Sequence, residues 1–302
     1  MRTPPQQRRL ADGRLHLHDG PIDLIIEAFG ETSAVEDAYA AAWGRFATIL
    51  DELCVELPLL RADPRAAQAP RGAVARRMAA AVAPFRARRF LTQMATVAGA
   101  VAEEVLEAMT TGRRLARAYV NNGGDIALHL SPGETFSIGM VDRPDRPSLF
   151  GRATVRAADR VRGVATSGWR GRSFSLGAAD AVTVLAASAA LADAAATLIA
   201  NAVDIPGHPA IRRTRACDLD PQSDLGERRV TVTVGPLTAD EIDRALASGV
   251  AEAEFWRDRG LIEAAALRLG DQTCVVGAAA SHSLNRIPAV ARNEEKALHA
   301  VG

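Results

Sequence analysis

Apolar and polar positions alternate through Leu15-His16-Leu17-His18 and again through Ile22-Asp23-Leu24-Ile25-Ile26-Glu27, with Asp19-Gly20-Pro21 between them. A period of two marks half-buried strands, so residues 15–28 predict a hairpin. The period then lengthens. Tyr39, Trp43, Phe46, Ile49, Leu50 and Leu53 form one stripe, which predicts a helix over residues 34–57. Residues 94–108 predict an Ala- and Val-rich helix that is small on one face. Strand patterns follow at residues 118–130 (broken at Asn121-Asn122-Gly123-Gly124-Asp125), 136–140, 151–155, 163–166 and 181–185. Residues 189–203 read as a helix and 229–234 as a β-branched strand. Thr238 followed by Glu241 is a capping-box signature, which starts a helix running to about Arg259. Residues 264–269 and 273–276 close as a hairpin around Gly270-Asp271.

Strands and helices are mixed without strict alternation. This predicts an α+β fold with a mixed or antiparallel sheet and packed helices rather than a doubly wound parallel one. Without a linker of real length, one domain is expected over residues 12–287. Residues 1–11 are expected to be a disordered lead-in and 288–302 a C-terminal tail.

Formal net charge is zero, which argues against a sequence-independent nucleic-acid binder. Lys296 is the only lysine, so a Schiff-base enzyme and a Walker A loop are both unsupported. Three scattered cysteines fit a reducing compartment. No signal peptide is read at the start. The most apolar region, residues 178–203, is interrupted by Asp180 and Asp193 and does not suit a membrane span. A soluble cytoplasmic protein is the expectation. Residues 61–89 hold eight arginines and one acid, Asp63. They read either as a loop with a solvated helix face or as a patch facing an anionic ligand.

Three constellations can carry chemistry. Asn121, Asn122, Gly123, Gly124 and Asp125 form either a hairpin turn or a ligand loop. Thr166, Ser167 and Gly168 suit an anion-cradling turn, with Trp169 to stack on a ring and Arg170 or Arg172 to pair with phosphate. The alternative is a surface turn in which an arginine pairs with a carboxylate such as Asp180. Asp193 and Thr197 share one helical face and suit magnesium. The alternative there is an exposed Asp193 and a Thr197 bonded back to its own helix.

In order, these stretches resemble the ApbE-like superfamily, best known for FAD:protein FMN transferases. The matching pieces are Val97-Ala98-Gly99-Ala100, Val120 to Asp125, Ala165 to Arg170 and Ala192 to Thr197, over about residues 90–203. Gly20-Pro21-Ile22-Asp23, Ser167 to Ser173 and Ala179 to Val184 look closest to a short, functionally uncharacterised branch of that superfamily. The resemblance implies the ApbE-like fold and a flavin, FAD or FMN, or another pyrophosphate-bearing nucleotide bound with magnesium at Asp193 and Thr197. It leaves room for a protein acceptor. Two departures stand out. The transferases' His-Ile-Ile-Asp-Pro loop is replaced by Ser173 to Asp180, and their helix lysine by Ala98.

Three readings follow. The first is a magnesium-dependent FMN transferase or FAD-hydrolysing enzyme. The second is a non-catalytic flavin- or nucleotide-binding protein, and the third an interaction protein with no small ligand. Catalytic residues and oligomeric state are left open.

Overall fold

The computed structural model describes residues 3–63, 68–141, 149–277 and 298–299. Strands β1 (Gln6–Arg9), β2 (Leu15–Asp19) and β3 (Ile22–Gly30) come first. Helices α1 (Thr32–Arg61), α2 (Ala73–Val82) and α3 (Val97–Thr110) follow, with a 3-10 turn at Gln93–Thr96 leading into α3. Strands β4 (Leu115–Asn122), β5 (Asp125–Leu130), β6 (Thr135–Val141), β7 (Leu149–Arg156), β8 (Gly163–Ser167) and β9 (Ala181–Ala186) lead to α4 (Ala189–Ala202). The chain continues through β10 (Ile211–Arg215), α5 (Ala216–Leu219), β11 (Arg229–Val234), α6 (Ala239–Arg257), β12 (Ala264–Leu269), β13 (Gln272–Gly277) and β14 (Leu298–His299).

Nine strands form one sheet in the order β1-β2-β3-β4-β5-β8-β9-β12-β13, antiparallel at every pairing. The architecture is α+β. β10 pairs with β11 in a small separate sheet, and β6, β7 and β14 make a third. Long excursions leave the main sheet and return beside the strand they left. The three helices α1–α3 join the neighbours β3 and β4, and α4 to α6 join β9 and β12.

Burial explains which strands read clearly. β3 alternates along its length, one face covered by α1 and its neighbours. β4, β5 and β9 are buried on both faces, so their apolar runs are nearly continuous. One face packs on the helices. The other packs on the β6–β7 hairpin through Tyr119, Ile126, Leu128, Phe136, Ile138 and Val155. Eight of the 14 residues of α4 are alanine, which lets α2, α3 and α6 pack closely around it. Burying Ala, Val and Leu against the sheet stabilises this centre at roughly 25 cal/mol per Å² of apolar surface.

Residues 6–9, inside the expected lead-in, are a strand. β1 pairs antiparallel with β2, Gln6 opposite His18 and Arg9 opposite Leu15. Its four residues are all exposed, so it sits as a polar edge strand without the apolar pattern that marks a strand in sequence. β10 and α5 are likewise absent from the hydrophobic pattern and present in the structure. Of the expected tail, 288–302, only the backbone of Leu298–His299 lies within the described residues.

Candidate functional site

The cleft is built where α3 and α4 meet. Gly99 lies in the first turn of α3, and a methyl group there would come 2.5 Å from the Ala189 carbonyl oxygen. Glycine therefore lets the two helix starts approach. Each helix then caps the other. The Gly99 N–H donates to Asp193 Oδ2 at 3.1 Å, and the Ala190 N–H donates to Glu103 Oε1 at 2.8 Å. Both are N-terminal N–H groups that their own helices leave without partners.

Four separated segments line a cavity of about 450 Å³ at this junction, within the usual range of small-ligand sites. The first is Thr92 to Ala98, the approach to α3. The second is the β4–β5 turn, Asn122 to Asp125. Thr166 to Gly168 at the end of β8 is the third, and Asp193, Thr197 and Asn201 along one face of α4 are the fourth.

The β4–β5 turn is a true two-glycine hairpin. Gly123 and Gly124 have φ of 65° and 106°, values that favour glycine. Asn121 Oδ1 accepts from the Gly124 N–H at 2.8 Å and closes the turn, so Asn121 shapes the loop without lining the cavity. Asn122 Nδ2 donates to the Ala98 carbonyl at 3.2 Å and ties the turn to α3. The turn and ligand-loop readings are thus compatible: the turn holds itself and presents Asp125.

Asp125 and Asp193 are half-buried carboxylates on this one cavity. Burial raises Asp125 from 3.8 to about 7, against the Thr166 N–H and the Arg172 charge, which both lower it. Burial also raises Asp193 well above the ordinary range, and the Asp125 charge adds to the rise. The Gly99 N–H opposes it. Thr197 lines the cavity and makes no hydrogen bond among the described residues, so it is not spent on its own helix.

Thr166 turns inward. Its hydroxyl shares a hydrogen bond with Thr183 Oγ1 at 2.9 Å, while its N–H donates to Asp125 at 3.3 Å. Ser167 and Gly168 line the cavity. Trp169 and Arg170 do not. Arg170 Nε donates to Asp180 Oδ1 at 2.6 Å, Trp169 Nε1 donates to the same oxygen at 3.0 Å, and the guanidinium lies 4.3 Å from the indole ring centre. The expectation that Arg170 faces a ligand gives way to the carboxylate pairing. Arg172 occupies the cleft instead, its guanidinium against Gly123 where a methyl group would otherwise sit.

Sequence reasoning missed part of the lining. Arg61, Phe90 and the loop from Asp220 to Leu225 also border the cavity. Thr92 donates its hydroxyl to Asp224, and the Arg228 guanidinium lies 3.3 Å from the Phe90 ring centre, which fixes the loop there. The acidic run from Asp218 to Asp224 is visible in sequence as a turn. Its partner, the approach to α3, lies more than a hundred residues away, and no local spacing connects them.

The donor set suits a hard divalent cation. It offers two carboxylates, one of which raises the other by like charge, and a hydroxyl that makes no hydrogen bond among the described residues. Among the described residues no group of three or more His, Cys, Asp or Glu forms a metal centre. Magnesium commonly binds through one or two carboxylates completed by water and phosphate, so the residues present fit it.

The family model described as AbpE bacteria matches residues 7–276. The chain belongs to that family. Among similar proteins, a UPF0280 protein of Methanopyrus kandleri is 40% identical over 129 residues, 42% of this chain and 48% of that protein. A UPF0280 protein of Methanocaldococcus jannaschii is 38% identical over 110 residues, 36% and 43% of the two chains. The matched stretch thus spans about half the length of these relatives or less. The crystal structure of the Pseudomonas stutzeri flavinyl transferase ApbE, apo form, aligns over 91% of this chain and 95% of that one, with 11% identity and a TM-score of 0.38. Among the described residues no helix is long and apolar enough to cross a membrane.

Proposed function

We propose that the cleft binds a pyrophosphate-bearing nucleotide, a flavin such as FAD or FMN by resemblance of the sequence motifs, together with magnesium. The observation that carries this reading is that Asp125 and Asp193 line one cavity, near enough for the charge on one to raise the other, together with Thr197, whose hydroxyl makes no hydrogen bond among the described residues. Two desolvated carboxylates of like charge are unfavourable alone and favourable around a cation. Asp125, Asp193 and Thr197 would hold the metal, which would neutralise charge on a bound pyrophosphate. Ser167 and the backbone of Gly168 would face the phosphates, and Arg172 would add a guanidinium.

Two activities are compatible with this site, FMN transfer to a protein acceptor and hydrolysis of FAD. One observation favours binding without transfer. The link from Ser173 to Asp180 is short and lies against α4, so closely that a methyl group on Gly177 would overlap the Ala200 carbonyl oxygen. By the sequence resemblance, this link stands where the transferases carry their reacting loop.

Isothermal titration with FAD, with and without magnesium, tests the binding reading. Affinity should rise at least tenfold with magnesium and lose that dependence in Asp193→Asn. Equal affinity with and without the metal would overturn it. Release of AMP from FAD then separates an enzyme from a binding protein.

A further inference from the structure

Only two guanidinium groups line the described cleft, Arg172 and Arg61. Arg61 is the last residue of α1, a helix that packs against the 3-10 turn before α3. It therefore reaches the cavity from the end of α1, whereas Arg172 lies against Gly123 of the β4–β5 turn. Among the described residues, three other arginines of the segment are held in ion pairs and a fourth by a backbone carbonyl. Arg77 pairs with Glu103, Glu104 and Glu107, and Arg88 and Arg89 pair with Glu252. Arg76 donates to the Arg71 carbonyl at 2.5 Å. Arg61 makes no hydrogen bond or ion pair among the described residues, although Asp220 and Asp224 border the same cavity. A positive charge at a helix C-terminus is favourable in itself. That accounts for its sign but not for its place on the cavity wall.

We infer that Arg61 is a second anion-recognising residue of this cleft, reading an acidic group of the ligand beyond the one held at Arg172 and the carboxylate pair. This rests on the nucleotide-binding reading above and adds to it a preference: a ligand with two linked phosphates is bound in favour of one with a single phosphate. The planar guanidinium fork matches phosphate oxygens, and an unpaired arginine gives up no protein partner to engage them.

The test uses the full chain and two simple probes, inorganic pyrophosphate and inorganic phosphate, titrated calorimetrically in magnesium. The parent should bind pyrophosphate at least tenfold more tightly than phosphate. Arg61→Gln should erase that preference by weakening pyrophosphate about tenfold and leaving phosphate within twofold. Arg172→Gln should weaken both. Melting temperature of the ligand-free variants serves as the structural control, and Arg61→Lys keeps the helix-end charge if Arg61→Gln proves unstable. Arg61→Lys should then lose most of the preference, because it keeps charge without the fork. A parent that prefers pyrophosphate while Arg61→Gln or Arg61→Lys binds both probes unchanged overturns the role of Arg61 alone. A parent that binds neither probe overturns the nucleotide reading together with it.

Discussion

Asp125→Asn should stabilise the metal-free protein at pH 8. Burial raises the Asp125 carboxyl from 3.8 to about 7. The folded chain therefore keeps this proton at a pH where the unfolded chain has lost it. The stability this group contributes is fully present below about pH 4 and is lost as pH rises through 7. A displacement of that size corresponds to about 4 kcal/mol. Asp125 borders an open cleft, and solvent screening there reduces the expectation to about 1–2 kcal/mol. Asparagine retains the oxygen that accepts the Thr166 N–H, so no buried donor is orphaned. Melting curves in EDTA should show the variant's advantage opening as pH rises from about 4, where the two lie closest, to several degrees at pH 8. Millimolar magnesium should then raise the parent's melting temperature at pH 8 and leave the variant unmoved. A variant less stable than the parent at pH 8 in EDTA would refute the argument, because it would mean that the ionised carboxylate is welcome in the folded state without a cation.

Gly99→Ala should cost about 1–3 kcal/mol by forcing α3 from α4 and should also weaken magnesium binding, read as a lower melting temperature with a smaller response to the metal. Arg170→Ala should lower ligand-free stability by about 1–2 kcal/mol with nucleotide affinity within about twofold; a large loss of affinity with unchanged melting would return Arg170 to the site. Thr238→Ala removes the α6 capping box and should cost about 1 kcal/mol in chemical denaturation, with no change in ligand binding.

Much of the fold is legible in sequence where one face of an element is wet. β2, β3, α1 and α6 carry clean periodicity or a capping signature because their outer faces meet solvent. The centre was readable for a different reason, since β4, β5, β8 and β9 appear as short apolar runs bounded by Gly, Asn and Asp. β1 and β10 were not readable: an exposed edge strand and a mostly polar one bury too little to leave a pattern. At the site, Asp125, Ser167, Gly168, Asp193 and Thr197, from three separate sequence motifs, line one cavity. Trp169 and Arg170 do not, because Asp180 is ten and eleven residues away in sequence and in contact in space. Arg61 and Phe90 reach the cleft only through packing between segments distant in the chain, which a single sequence does not encode locally.

Asp193 carries two roles that a pair of substitutions separates. Its carboxylate accepts the Gly99 N–H at the start of α3 and also faces the cavity. An exposed carboxylate could be removed at little cost, but one that caps a neighbouring helix could not. Asp193→Asn keeps an acceptor for Gly99 and removes the charge, so the metal-free variant should be at least as stable as the parent at pH 8. Asp193→Ala also removes the charge but strands the N–H, and should be less stable than Asp193→Asn by about 0.5–2 kcal/mol, the usual worth of a helix cap. Both should lose any magnesium response. Equal stability of the two variants in EDTA would show that the contact with Gly99 contributes nothing to folding. Parental magnesium-dependent binding in either would place the metal elsewhere in the cleft, with Asp193 serving only to hold α3 against α4.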